Sequence, residues 1–235
     1  TGTYTNGDYV VNCHDGVAHG ELDIYGILGM SCNGAFDTIA QTLNSTKWQK
    51  LAEDFGYNQS DRSQVDFPYK KSHFDIASDD SVWSRMQLAI GQGTTTVTPL
   101  LNLMMYAAIA NDGVMMTPYL VDHYLDADGN VVEQTKPKAL RSVCTKAEAE
   151  LMDEFLTYVI TNGTAAAGGS QYARVSGKTG SAQYDSTKNY HAWFCGYGTN
   201  DVSEIAVCVM IEKGGAGGIV AAPVAGQIFD YYFSR

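Results

Sequence analysis

The order of hydrophobic periods along this chain limits its fold more than any other feature. Apolar residues recur at helical spacing through its first two thirds. Phe36, Ile39, Ala40 and Leu43 form one set, Trp48, Leu51, Ala52 and Phe55 a second, and Leu151, Met152, Phe155, Leu156 and Val159 a third. Steps of three and four place each set on one helix face. The last third changes period. Residues 175–183 read as a strand, and 191–197 and 205–211 as apolar strands joined by a turn at Thr199-Asn200-Asp201. An amphipathic helix closes the chain, with Val220, Val224, Ile228 and Tyr232 in one row and Ala225 and Phe229 beside it. Helices, then hairpin-linked strands, then a helix predict an α+β fold, an antiparallel sheet flanked by helices. The reading is one domain over 1-235, its helical lobe mainly 31-160 and its sheet and C-terminal helix mainly 170-235. No repeat or linker divides it.

Local signals agree. Thr3-Tyr4-Thr5 and Tyr9-Val10-Val11 flank an Asn6-Gly7 turn. Thr98 can cap and Pro99 suits the first position of a helix that is apolar almost all round, from Leu100 to Ile109, which predicts burial on most sides. Thr145-Lys146-Ala147-Glu148 matches a capping box. Tyr119 to Val132, turning at Asp128-Gly129-Asn130, reads as a small hairpin. Residues 57–82 are polar and without period, a long irregular surface stretch. Residues 213–218 form a glycine loop.

Fifteen Lys and Arg against 26 Asp and Glu leave a net charge of −11. Nucleic acid and polybasic membrane binding are excluded, since both need clustered cations. At 45 % hydrophobic residues the chain can bury a sizeable core. Its greasiest run, 100–110, is broken by Asn102 and too short to cross a bilayer. No signal peptide opens it, and it starts at Thr1 without Met, so a piece of a longer protein is expected. The five cysteines, 13, 32, 144, 195 and 208, have irregular spacing and read as small buried hydrophobes, with Cys13–Cys32 the one pairing to check.

Two short strings carry chemistry. Gly177-Lys178-Thr179-Gly180 is not a phosphate loop, because position 172, where that motif needs glycine, is Tyr. It fits instead a strand beside a site. Lys178 would present positive charge and Thr179 a hydroxyl for a substrate carboxylate. Gly180 would leave room for substrate backbone, and the Ser181 N–H would face a developing oxyanion. Ser31-Cys32-Asn33, just before a helix, fits a Ser-x-Asn element, with Ser31 as proton relay and Asn33 positioning substrate and Lys; helix capping by Ser or Asn is the alternative.

These strings, with His19-Gly20, Gly91-Gln92-Gly93, Val97-Thr98-Pro99, residues 106–111, Asn162-Gly163-Thr164-Ala165 and His191-Ala192-Trp193-Phe194, resemble in order and spacing the transpeptidase domain of class B penicillin-binding proteins. The resemblance runs from about residue 10 to the C-terminus. It implies a five-stranded antiparallel sheet between helices, with a mostly helical lobe that carries Ser-x-Asn (a β-lactamase/transpeptidase-like fold). It also implies acyl transfer from peptidoglycan stem peptides through a serine ester, trapping by β-lactam antibiotics, and no cofactor. Other cell-wall synthesis proteins are implied partners, and the outer face of the cytoplasmic membrane the location, with an anchor that this chain lacks. Catalytic roles fall on Ser31, Asn33 and Lys178, and substrate binding on Thr179, Gly180 and Ser181, where the family often has Thr. The family nucleophile, the Ser of Ser-x-x-Lys, is not in these 235 residues; Ser60, Ser63, Ser176 and Ser186 come nearest, each without Lys three positions on. The expectation is an N-terminally incomplete domain, lacking that motif and one or two strands, and inactive alone. A D,D-carboxypeptidase or β-lactamase of the same fold, or a non-catalytic scaffold module, are the rivals. No metal site is expected, because Cys13, His14 and His19 fit no standard ligand spacing. His73 and His123 read as surface residues and His191 as strand packing.

Overall fold

The computed structural model describes residues 2–59, 65–185, 187 and 189–235. Ser60, Ser63 and Ser186 lie outside the described residues. A hairpin opens the chain, β1 (Thr3–Asn6) and β2 (Tyr9–Asn12) pairing antiparallel about Gly7, whose φ of 60° explains the glycine. Four short helices follow, α1 (Ile24–Gly29), α2 (Asn33–Thr42), α3 (Ser45–Asp54) and α4 (Val82–Ala89). Next come α5 (Pro99–Ala110), β3 (Val114–Met116), β4 (His123–Leu125), β5 (Val131–Gln134), β6 (Ala139–Ser142) and α6 (Lys146–Asn162). The last third is β7 (Arg174–Gln183), β8 (Tyr190–Thr199), β9 (Glu204–Ile211) and α7 (Gly217–Phe233).

The main sheet has the order β7-β8-β9, antiparallel throughout, three strands among the described residues where the resemblance implies five. Sheet residues Val175, Ala192, Phe194 and Val207 bury against Ala221, Ala222, Ala225, Phe229 and Phe233 of α7 and Val159 and Ile160 of α6. Helix α5 also lies against β8 and β9. Two small sheets, β3 with β6 and β4 with β5, sit beyond it.

Helix α5 is buried on most sides as expected: every residue from Leu100 to Ala110 is buried or half-buried, and cavities lined by Leu100 and Met104 on one side and Asn102 and Tyr106 on another flank it. One expectation needs correction. The 57–82 stretch is not all surface. Phe74 and Ile76 are buried with Leu88 of α4, packed by Trp48, Ala52 and Tyr57. The few apolar residues of this polar run are irregularly spaced and give no readable period, so neither Phe74 and Ile76 nor α4 stood out. Ser176, one of the near misses for Ser-x-x-Lys, is buried within β7, its hydroxyl donating to Asp153 Oδ1 at 2.7 Å.

The capping box at α6 is formed as read. Glu148 N–H donates to Thr145 Oγ1 at 3.3 Å, and Thr145 N–H donates to Glu148 Oε2 at 2.8 Å. Thr145→Ala is expected to cost about 1 kcal/mol, a fall of roughly 2–4 °C in melting temperature at this size, checked by calorimetry.

Candidate active site

Strand β7 and the turn between α1 and α2 meet at one hydrogen bond. Lys178 Nζ donates to Ser31 Oγ at 3.0 Å and to its neighbour Thr179's carbonyl oxygen at 2.9 Å, joining residues 147 positions apart. Burial of the amine brings its pKa down to about 8, since a charged ammonium loses solvation there. Below that pH the group is cationic.

Ser31 has φ 53°, a left-handed conformation that strains a non-glycine residue by about 1–3 kcal/mol. Its surroundings hold it. Ser31 N–H donates to Leu28 O, Cys32 N–H to Ile27 O, and Asn33 Nδ2 to Asn12 O at 2.8 Å. The N-cap of α2 is Cys32, with no side-chain cap bond, so neither Ser31 nor Asn33 serves as a cap. Asn33 fastens the turn to the end of β2 rather than reaching Lys178.

Thr179 Oγ1 lies 3.2 Å from Thr164 Oγ1. Thr164 N–H in turn donates to Gly29 O at 3.0 Å, and a Cβ on Gly163 would stand 2.4 Å from that same oxygen. The two backbones therefore touch with no side chain between them. Ser181 Oγ accepts the Gly217 N–H at 3.1 Å, which ties the start of α7 to the strand. Gly217 is required by close approach, because its Cβ would stand 2.3 Å from Gly180 O and 2.5 Å from Trp193 O. Gly180 differs. A Cβ there would meet only Trp193 Cβ, at 3.4 Å. The fold itself tolerates a side chain at 180, leaving the space beside the strand as the reason for glycine. Gly180→Ala is expected to keep stability within about 1 kcal/mol, and Gly217→Ala to lose about 2 kcal/mol or more; paired urea titrations check the contrast.

Residues 178–182, with Trp193 and Cys195 behind them, form one wall of a cavity of about 200 Å³. Ile90, Gly91, Gln92, Val97, Asn102 and Tyr106 form the other. Ser31 and Asn33 do not line it; Ser31 joins it through Lys178. Gln92, Asn102 and Tyr106 were not singled out as site residues in the sequence. The available signal was Gln92 between two glycines, both at positive φ. Burial keeps the Tyr106 phenol well above its usual pKa, hence neutral. Behind the lysine, Asp153 anchors the strand. Burial raises its carboxyl, but hydrogen bonds from Tyr197, Ser176 and Arg174 outweigh that and hold it below its usual value.

Close by, one cluster among the described residues has ligand-type atoms near enough for a cation. Cys13, His19 and Cys32 bring them within 4.8 Å of one another, and His19 Nδ1 is buried without a partner. Two sulfurs and an imidazole form a donor set suited to a borderline-soft cation such as Zn²⁺. Cys13, His14 and His19 have no standard spacing and predict no metal site; the fold completes the cluster with Cys32, which lies on a separate turn. His191 stacks on Tyr184 and its Nδ1 accepts from Lys213 N–H; His73 and His123 are exposed.

The profile of the penicillin binding protein transpeptidase domain matches residues 1–230. The chain is 29 % identical over 203 residues to the peptidoglycan D,D-transpeptidase PbpA of Mycolicibacterium smegmatis, covering 83 % of this chain and 40 % of that protein. It is 28 % identical over 237 residues to the peptidoglycan D,D-transpeptidase MrdA of Acinetobacter baumannii, covering 91 % and 35 %. It thus spans less than half the length of these curated relatives. Its fold superposes on the D,D-transpeptidase domain of a peptidoglycan glycosyltransferase from Eggerthella lenta with TM-score 0.87 and 27 % identity, over 97 % of this chain and 57 % of that one. It also superposes on penicillin-binding protein 3 from Mycobacterium tuberculosis, solved complexed with aztreonam, with TM-score 0.83 and 26 % identity, over 100 % and 56 %. On this evidence the chain belongs to the penicillin-binding protein transpeptidase domain family, in the class B group that its motifs resemble.

Proposed function

We propose that this chain forms most of the acyl-transfer site of a peptidoglycan D,D-transpeptidase. The observation that carries the reading is the Lys178–Ser31 hydrogen bond, which sets a buried amine and a hydroxyl at one end of a groove along strand β7. The attacking hydroxyl is supplied by a segment outside these 235 residues, none of which forms a Ser-x-x-Lys. It attacks the penultimate D-alanine carbonyl of a stem peptide, D-alanine leaves, and an amine of a neighbouring strand takes the acyl group. Ser31 passes a proton toward the leaving amine. Lys178 and Thr179 hold the substrate carboxylate, Gly180 leaves space for the peptide, and the Ser181 N–H stabilises the oxyanion. Asn33 acts by fixing the turn that carries Ser31. A β-lactam enters the same groove and stops at the ester, in keeping with the aztreonam complex of the M. tuberculosis relative. The parent protein acts outside the cytoplasmic membrane, as expected of a cell-wall enzyme. No helix among the described residues is long and apolar enough to cross a membrane.

Labelling with a fluorescent penicillin and intact-mass analysis test this. The chain alone is expected to stay unmodified, whereas the polypeptide including what its gene encodes upstream of Thr1 is expected to be acylated. Lys178→Ala should slow that acylation by about 10²-fold or more. An adduct on the chain alone, or acylation indifferent to Lys178→Ala, overturns the reading. In wild type, carboxylate recognition should weaken as pH rises through about 8, because the lysine charge is lost there.

A further inference from the structure

A row of three side chains crosses the main sheet. The register sets Lys178 of β7 opposite Cys195 of β8, and Cys195 opposite Cys208 of β9. Directly opposed residues project from the same face, so all three share the face that carries the groove. Cys195 lines that groove with Lys178, and its Sγ lies 3.1 Å from Cys208 Sγ. The acyl-transfer reading uses neither sulfur. Opposed Cα atoms on antiparallel strands stand about 4.5–5.5 Å apart, inside the roughly 4.4–6.8 Å that a disulfide spans. The register thus holds this pair within the span of a disulfide.

The geometry points to Cys195 and Cys208 as a dithiol modification site, which exchange with an external disulfide converts to a cross-strand disulfide directly behind Lys178. Cys208 starts the exchange. It is the more exposed of the two, and the hydrogen bond from Cys195 holds its thiol below the usual pKa while pushing Cys195 up. The Cys208 thiolate, its proton released to solvent, attacks one sulfur of the donor disulfide. The donor S–S bond breaks and half of the donor leaves as a thiolate. Cys195 gives its proton to that thiolate and attacks Cys208 Sγ. The Cys195–Cys208 bond forms and the other half of the donor leaves as a thiolate, which is protonated by solvent. The pair loses two electrons and the donor gains them, ending as two thiols. The new bond clamps β9 to β8 and removes a thiol from the wall of the groove. This holds whichever acyl donor the groove takes.

Incubation of the reduced chain with oxidised glutathione, followed by alkylation, mass measurement and peptide mapping, tests the site. The expected result is a peptide bearing Cys195 linked to one bearing Cys208, with about 2 Da lost per bridge. A dithiol reductant should reverse it, and Cys208→Ser should abolish the Cys195 linkage while thermal melting shows the variant folded. Recovery of Cys195 and Cys208 both alkylated overturns the proposal. So does glutathione left on Cys208 without resolution, or bridging confined to Cys13 and Cys32, whose sulfurs lie 3.9 Å apart.

Discussion

Phe194→Ala is expected to lower the unfolding free energy by about 3–5 kcal/mol, a large share of the roughly 5–15 kcal/mol that holds a domain of this kind folded. Phe194 is wholly buried on β8, edge-on to Phe229 of α7 at 6.3 Å between ring centroids. Three glycines are shaped around it. A Cβ on Gly168 would stand 2.3 Å from its ring, one on Gly177 2.7 Å, and one on Gly196 3.1 Å. Backbone that approaches a ring so closely cannot collapse into the space left by alanine, so the cavity persists and the cost falls at the upper end of that range. Urea denaturation should show a lower midpoint with an unchanged slope. A loss under 1 kcal/mol would mean that the sheet and α7 close the gap, and that the glycines are not there for the ring.

Asp37 is expected to make the fold less stable as pH rises. It is wholly buried on α2, and neither carboxylate oxygen has a hydrogen-bond partner among the described residues. Burial alone raises its pKa from 3.8 to about 7. The folded chain therefore keeps this proton over a range in which the unfolded chain has already released it. Stability contributed by the protonated form is full below about pH 4 and is lost progressively up to about pH 7. A gap of about three pH units corresponds to about 4 kcal/mol. Asp37→Asn removes the titration and should be the more stable protein at pH 8, with a flatter dependence of melting temperature between pH 4 and 7. Parallel profiles for the two proteins would show that the carboxylate finds solvent or a partner.

Periodicity made the long helices and the two apolar strands legible, because each set of apolar residues faces one core. It also gave the α5 cap and the α6 capping box, which depend on residues three apart. Short helices such as α1 and α4 offered too few turns for a period to show. Pairings set by tertiary structure were out of reach. Asn33 on the β2 backbone, Cys32 beside His19 and Cys195 against Cys208 depend on how turns and hairpins stack, not on local spacing. The Ser31 and Lys178 strings could be recognised separately, but their meeting at 3.0 Å depends on the whole helical lobe between them.

The contact between Gly29 and Gly163 has a consequence for how such a groove can change. Main chain rests on main chain there, two residues before Ser31 and one before Thr164. The distance between the turn that carries Ser31 and the segment that carries Thr164 is thus set by peptide units, whose dimensions mutation cannot alter in small steps. A side chain at 163 would push the Ser31 turn away from Thr164 abruptly. Gradual change in the shape of the groove comes instead from the Ile90–Gln92 side, where side chains line the opening.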